Sequence, residues 1–295
     1  MDLIVSAISQ GILWSLLSLG LFISFRILNI ADMTTEGAYP LGAAVCISLI
    51  LAGMSPILAI FIAMLGGALA GALTSIFINI CKIPSLLAGI LTMTALLSVN
   101  LRVMGRPNLS LLNHKTIFDI FSSVSLPPYF DSIIVGIIIV SLVIFFMHFF
   151  FNTELGQALI ATGDNSKMAS SLGISTKKMT LLGLMLSNSI VALTGAILSQ
   201  NNGYADVNSG LGVIVVALAA IIIGEVIFGD VNFLTRLVCI ILGSIIYRLL
   251  LVFVLKLNII EANDFKIISA LLIALFLSVP ELKKYINISR EKGDN

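Results

Sequence analysis

The stretch Asn152–Lys178, NTELGQALIATGDNSKMASSLGISTKK, lies between two apolar runs at residues 132–151 and 179–200. Each run is long enough to cross a hydrocarbon core of about 30 Å as a helix, whereas the intervening stretch is polar and contains helix-capping residues. This alternation predicts an all-α membrane protein whose spans are joined by an aqueous loop. Because Asn152–Lys178 is the one sizeable soluble segment, it is the predicted docking surface for a partner.

The composition supports the same class. Hydrophobic residues make up 59% of the 295 residues and charged residues only 11%. A soluble domain of this length does not expose so much apolar surface without aggregating, so the chain is predicted to be a polytopic membrane protein embedded in a lipid bilayer. The net charge of +1 and the lack of a long basic run argue against a nucleic-acid partner.

About nine apolar stretches are candidate transmembrane helices, with eight to ten as the range. They are residues 3–25, 37–53, 55–80, 84–104, 132–151, 179–200, 211–229, 234–255 and 266–280. The second and the seventh are short, which predicts that one or both are broken or re-entrant.

The basic residues indicate the orientation, because Lys and Arg are retained on the cytoplasmic side. If Asn152–Lys178 is inside, the inner segments carry ten Lys and Arg residues and the outer segments five, with Arg248 left within a helix. This distribution predicts a cytoplasmic loop at 153–178, a cytoplasmic tail at 281–295 and an N-terminus outside.

Two linkers echo each other, IADMTTEG at Ile30–Gly37 and YADVNSG at Tyr204–Gly210. Each follows one apolar helix and precedes another, and the predicted orientation puts them on opposite sides of the membrane. We therefore expect an inverted repeat, whose paired interruptions frame a transport path in many transporters. The alternative is a common loop dipeptide followed by a turn-forming glycine. In the first linker, Asp32 and Glu36 are expected to cap the next helix.

The polar stretch contains a short helix of its own. Asn165 is its predicted N-cap and Gly173 its predicted C-cap, while Met168, Ala169 and Leu172 fall on one face. An exposed apolar stripe of this kind is suited to a groove on a partner protein. The alternative is a helix that lies in the lipid interface.

Polar residues within the spans are candidates for a translocation path, because a polar group that faces lipid is costly. Asn188, in the sixth span, and Gln200 and Asn201, at its outer end, are the candidates. Such side chains also form hydrogen bonds between transmembrane helices, and the sequence leaves both roles open.

Two ionisable residues lie within the predicted spans, Glu225 about four residues from the inner end of the seventh and Arg248 well inside the eighth. An unpaired charge at the centre of a span costs about 3 kcal/mol, so Arg248 requires a partner. The candidate carboxylates are Asp206, Glu261 and Asp264. Arg248 then serves either as a structural clamp between helices or as a contact for a substrate carboxylate.

No enzyme chemistry is predicted. The sequence contains neither G-x-x-x-x-G-K-[ST] nor H-E-x-x-H, and its two histidines and three cysteines are scattered singly. The chain therefore has no predicted P-loop, metal site or catalytic residue. Energy for transport must come from another subunit or from a gradient.

The run Gly163–Glu225 resembles the permease subunits of ABC importers of the branched-chain amino acid and ribose type. More narrowly, ADMTTEGAYPLGAAV at Ala31–Val45, YRLLL at Tyr247–Leu251 and NDFK at Asn263–Lys266 resemble the tryptophan/tyrosine transport permease subgroup. The resemblance covers nearly the whole chain and is more specific for the superfamily than for the substrate.

The resemblance implies one transmembrane permease domain at 1–295 in a bacterial plasma membrane. It also implies a homodimer, two ATP-binding subunits that hold the ATP and Mg²⁺, and an extracytoplasmic solute-binding protein. The implied coupling residues are Gly163, Asp164, Asn165, Met168, Ala169, Leu172 and Gly173. The alternatives are an importer of branched-chain amino acids or nucleosides and an ion-gradient-driven secondary carrier.

Overall fold

The computed structural model describes residues 2–121, 127–229 and 231–256, together with positions 267, 270, 271, 274 and 278. The helices and strands are α1 (Asp2–Phe22), α2 (Thr35–Leu51), α3 (Pro56–Asn79), α4 (Ser85–Met104), β1 (Asn108–Ser110), α5 (Phe130–Phe151), α6 (Glu154–Asp164), α7 (Ser166–Ser171), α8 (Thr176–Asn202), β2 (Tyr204–Asp206), α9 (Val213–Phe228) and α10 (Phe233–Lys256). A π-helix at Ile23–Ile27 extends α1, and a 3₁₀ turn at Val207–Gly210 precedes α9.

Seven segments in the described part are long and apolar enough to cross a membrane: α1 with its π-helical end, α3, α4, α5, α8, α9 with its preceding turn, and α10. The predicted all-α membrane class is confirmed. The second predicted span corresponds to α2, an apolar helix of only 17 residues. The ninth, 266–280, lies outside the described residues except for five helical positions, so the count of nine remains a prediction. The predicted tail at 281–295 also lies outside them.

Helix α8 is the centre of the bundle, because most of its residues are buried and it packs against α1, α2 and α3. Its most extensive contact is with α3, where Gly67 and Gly71 lie against the backbone carbonyls of Asn188 and Leu184. A Cβ at either glycine would collide with those carbonyls. Small residues at these positions permit close contact between the two helices.

Helices α1, α9 and α10 form a second packed group. Gly11 lies directly against Ile245, and the Ser244 hydroxyl donates a 2.8 Å hydrogen bond to the Gly11 carbonyl oxygen. Gly224 of α9 meets the backbone of Cys239 in α10 in the same manner. Helix α1 also contacts α8, so it connects the two parts of the bundle.

A two-stranded antiparallel ribbon closes the end of the bundle opposite α6 and α7. Its register pairs Asn108 with Asp206 and Ser110 with Tyr204. The ribbon ties the connection after α4 to the connection after α8, and it therefore fixes the linker that leads into α9.

Candidate functional site

Helix α6 is docked against the end of α1. Leu159 is fully buried, and Gly163 lies so close to the Ile27 carbonyl oxygen that a Cβ there would fall well inside 3.0 Å. The Asn29 side-chain amide donates a 3.3 Å hydrogen bond to the Gly163 carbonyl oxygen. Gly163 thus forms the contact between α6 and the π-helical end of α1. Short π-helical segments of this kind are frequent at functional sites.

Helix α7 has the two caps that the sequence predicts. The Asn165 side chain accepts a 3.0 Å hydrogen bond from the Met168 N–H. Gly173 has a φ of +84°, a left-handed conformation that favours glycine, and the Ile174 N–H bonds back to the Ala169 carbonyl. Both predicted caps are confirmed.

The outer face of α7 presents apolar side chains. Met168 is 49% exposed and Leu172 is 71% exposed, and Asp164 and Asn165 are exposed beside them. Ala169 is buried against the chain itself, so it does not contribute to the exposed stripe that the sequence predicts. We call the exposed residues Asp164, Asn165, Met168, Leu172 and Gly173 the coupling surface, after the role that the resemblance predicts for them.

Glu225 pairs with Arg26, a partner that the sequence did not indicate. The Arg26 Nε–Glu225 Oε1 distance is 2.8 Å and the Nη2–Oε2 distance is 2.5 Å, so the pair is bidentate. Arg26 precedes Ile27, the residue that Gly163 touches, and Glu225 lies near the end of α9. The ion pair therefore joins α9 to the part of α1 on which α6 rests.

Asn188 belongs to a buried polar cluster around the first linker. Its side-chain amide donates a 2.7 Å hydrogen bond to Asp32 Oδ2, and Asp32 Oδ1 accepts from the Thr34 N–H at 2.9 Å. The hydroxyls of Thr34, Thr74 and Thr92 continue the cluster at 2.6 and 2.9 Å. Burial raises the pKa of the Asp32 carboxyl above its usual range, and the hydrogen bonds from Thr34 and Asn188 oppose this rise.

The other two path candidates also join separate parts of the bundle. The Gln200 side-chain oxygen accepts from the Ile117 N–H at 3.0 Å, and the Asn201 oxygen accepts from the Ser132 hydroxyl at 2.7 Å. Asn188, Gln200 and Asn201 are therefore engaged in tertiary hydrogen bonds, and their role along a translocation path remains a prediction.

Glu36 lies in the first turn of α2, but its carboxylate bonds to a different element. Glu36 Oε1 accepts a 3.0 Å hydrogen bond from the Gly212 N–H, which immediately precedes α9. Gly210 also lies directly against the Glu36 carbonyl. The linkers Ile30–Gly37 and Tyr204–Gly210 thus meet at the start of α2, and the prediction that they lie on opposite sides of the membrane is wrong.

Arg248 lies over an aromatic stack. Its guanidinium carbon is 4.4 Å from the centre of the Trp14 ring, and Trp14 stacks on Tyr39 at 5.9 Å. The Asp206 carboxylate instead accepts from the Asn208 N–H at 2.6 Å, and the described residues contain no Asp206–Arg248 ion pair. The candidates Glu261 and Asp264 lie outside the described residues. The described part also holds no group of three or more His, Cys, Asp or Glu side chains suited to a metal ion.

Residues 3–277 match the family described as "Branched-chain amino acid transport system / permease component". A tyrosine transport system permease protein of Clostridioides difficile (strain R20291) is 37% identical over 98% of this chain and 94% of its own length. An uncharacterized protein of Rickettsia prowazekii (strain Madrid E) is 35% identical over 96% of this chain and 99% of its own length.

A solved structure titled "PsaBC from Streptococcus pneumoniae in complex with Fab" has a similar fold. Its TM-score is 0.50 at 17% identity, over 93% of this chain and 89% of that chain. The chain therefore belongs to the family of branched-chain amino acid transport system permease components, as a multi-pass protein of the bacterial plasma membrane.

Proposed function

We propose that this chain is the membrane-spanning permease subunit of an ATP-driven importer for an amino acid, with tyrosine or tryptophan as the substrate. Two copies form the pathway, two ATP-binding subunits dock on the cytoplasmic side, and an extracytoplasmic binding protein delivers the substrate. Family membership supports the transport class, and the 37% identity to a protein named as a tyrosine transport permease supports the substrate.

The observation that carries the coupling role is the exposed apolar pair on α7. Met168 and Leu172 lie one helical turn apart on a short, doubly capped helix, so they form a preformed apolar knob. A helix with such anchors is suited to a groove on another protein. The ATPase subunit is the partner in this proposal.

A continuous route leads from this knob into the bundle. Helix α6 follows α5 and ends at Asp164, directly before α7, and Gly163 presses on Ile27. The adjacent Arg26 holds α9 through Glu225. Movement of the ATPase groove would therefore displace α6, then the end of α1, then α9. This route provides a physical basis for alternating access.

The two linkers share a local turn, which supports an internal repeat in the proposed permease. Asp32 and Asp206 each accept a hydrogen bond from the backbone N–H two positions further on, at 2.9 and 2.6 Å. The Thr35 hydroxyl donates to the Asp32 carbonyl oxygen at 3.1 Å, and the Ser209 hydroxyl donates to the Asp206 carbonyl oxygen at 2.6 Å. The two linkers therefore share a turn as well as a sequence pattern, and both precede a helix of the bundle.

The direct test is ATP hydrolysis by the complex in nanodiscs. The chain is assembled with a candidate ATP-binding subunit from the same genome, and a candidate binding protein is added with and without tyrosine or tryptophan. Stimulation by the loaded binding protein supports both the importer and the substrate. Assembly with unstimulated basal hydrolysis would remove the aromatic substrate, and failure to bind any ATPase would favour a gradient-driven carrier.

Leu172→Asp tests the coupling surface, because the side chain is 71% exposed and the fold does not depend on it. We expect loss of ATPase binding with unchanged thermal stability of the permease. Ser170→Asp is the matched control, since it adds the same charge at an exposed position of the same helix outside the apolar pair. Gly173→Pro is expected to uncouple as well, because proline cannot adopt the positive φ of Gly173. Normal assembly and uptake with Leu172→Asp would refute the coupling assignment.

A further inference from the structure

A cavity of about 290 Å³ lies between α1, α9 and α10, below the turn that precedes α9. Trp14 forms one wall, Tyr247 and Arg248 form another, and Ser209 lies at the turn. Leu211 and Val215 also line the cavity and are 54% and 40% exposed, so the cavity opens on the surface of the chain beside these two residues.

The described lining of the cavity is positively charged. Arg248 is the only charged side chain among the described lining residues, which include no carboxylate. The buried Arg248 Nε has no hydrogen-bond acceptor among the described residues. A guanidinium within a membrane protein marks a functional site when it faces a cavity, because burial there is costly without a compensating role.

The remaining lining is aromatic and aliphatic. Trp14 stacks under the guanidinium, and Val213, Val216 and Leu251 complete the wall. The volume is at the lower end of the range for small-molecule pockets, which is about 300–1,000 Å³. A ligand that satisfies this cavity has an anionic group for Arg248 and a compact apolar or aromatic body.

We propose that this cavity is an amino-acid binding site within the permease, where Arg248 binds the substrate carboxylate and Trp14 contacts the substrate side chain. The inference rests on the proposed importer function and deepens it, because it assigns a substrate contact to a residue of this chain. A planar guanidinium matches a carboxylate in bidentate geometry, whereas an amine has no favourable contact with it.

Trp14 is the only tryptophan in the sequence, so its fluorescence reports on this cavity directly. The experiment uses the full chain in lipid vesicles, which add no tryptophan, with excitation at the red edge of the tryptophan band. L-tyrosine is the probe, and tyramine, which lacks the carboxylate, is the matched ligand control. We expect a saturable change with tyrosine and a response to tyramine at least tenfold weaker.

Arg248→Gln is expected to weaken tyrosine binding about tenfold to a hundredfold, the range for loss of a charge-assisted hydrogen bond. Arg248→Lys keeps the positive charge but loses the planar guanidinium that binds a carboxylate in bidentate geometry, so an intermediate loss of tyrosine affinity is expected. Arg102→Gln, at an exposed arginine of α4, is the control and should leave binding unchanged. If Arg248→Gln does not fold, Arg248→Lys and the comparison of tyrosine with tyramine still decide the question.

The outcomes separate this inference from the importer function. Equal responses to tyrosine and tyramine, no response at all, or an equal loss in Arg102→Gln would each overturn the cavity assignment. If those results accompany normal ATP-driven tyrosine uptake, the importer function stands alone. If Trp14 reports carboxylate-dependent binding but no ATPase assembles with the chain, the cavity assignment stands and the importer proposal fails.

Discussion

Gly163→Ala is the sharpest perturbation of the proposed coupling route. In the native chain Gly163 touches the Ile27 carbonyl oxygen, and a Cβ at residue 163 would fall inside the 3.0 Å that real Cβ atoms keep. The obstructing atom is backbone, so no side-chain rotation relieves the collision. Helix α6 must move away from α1 by roughly 1 Å or more, as overpacking forces backbone shifts.

Overpacking of this kind costs about 1–3 kcal/mol, which is about a fivefold to a hundredfold change in an equilibrium constant. The cost is local, because Leu159 and the rest of α6 remain packed on the bundle. We therefore expect a permease that folds with a lower Tm, still binds the ATPase through α7, and imports substrate at less than about a tenth of the normal rate for the same ATP hydrolysis.

Gly66→Ala is the matched control. Gly66 lies in α3, and the nearest heavy atom to an added Cβ is Leu41 Cδ2 at 3.7 Å, an ordinary contact. Alanine is a better helix former than glycine, so this variant should keep or raise the Tm. Both variants are compared in proteoliposomes by Tm, ATP hydrolysis and uptake in parallel. A Gly163→Ala protein with normal Tm and normal uptake per ATP would refute the coupling route.

Three further predictions follow from the other contacts. Arg26→Glu or Glu225→Arg alone should reduce uptake several-fold, because each removes a bidentate ion pair. The double exchange should restore only part of the uptake in the same assay, because Arg26 is 48% exposed and water screens the pair. Burial raises the pKa of Asp32 in the folded chain, so acidification toward about pH 4, the range of an ordinary carboxyl, should raise the wild-type Tm, and Asp32→Asn should lack this gain. Gln200→Ala leaves the Ile117 N–H without its acceptor and should lower stability by about 1–3 kcal/mol; an unchanged Tm with an altered apparent KM for uptake would instead favour a path role.

Local signals in the sequence were sufficient to predict the short helix α7 and the residues that cap it. Asn165 caps it because a side-chain oxygen reaches an N–H three residues on, and Gly173 ends it because only a left-handed residue fits there. Both depend on neighbouring residues alone. Ala169 shows the limit of the same reasoning, because the helix period placed it on the stripe while packing against the chain buried it.

Contacts between residues far apart in the chain could not be predicted from the sequence. Arg26 and Glu225 are 199 positions apart, and Arg26 had counted only as an inner-side charge. Glu36 was expected to act on its own helix, yet its carboxylate reaches Gly212, 176 positions later. For Arg248 we expected a carboxylate partner; among the described residues the guanidinium lies on the face of Trp14, and the candidates Glu261 and Asp264 lie outside the described residues.

Helices α1 and α9 connect the coupling surface to the proposed binding cavity. On α1, Trp14 in the cavity wall and Arg26 in the ion pair are separated by about 18 Å along the axis, at 1.5 Å per residue. On α9, Val215 lines the cavity and Glu225 completes the ion pair. A packed helix moves largely as a rigid unit because its interior leaves little free volume. In the proposed mechanism, displacement of the end of α1 by α6 would change the position of Trp14 relative to Arg248, so ATP-driven motion at one end of these helices would alter the proposed substrate site at the other.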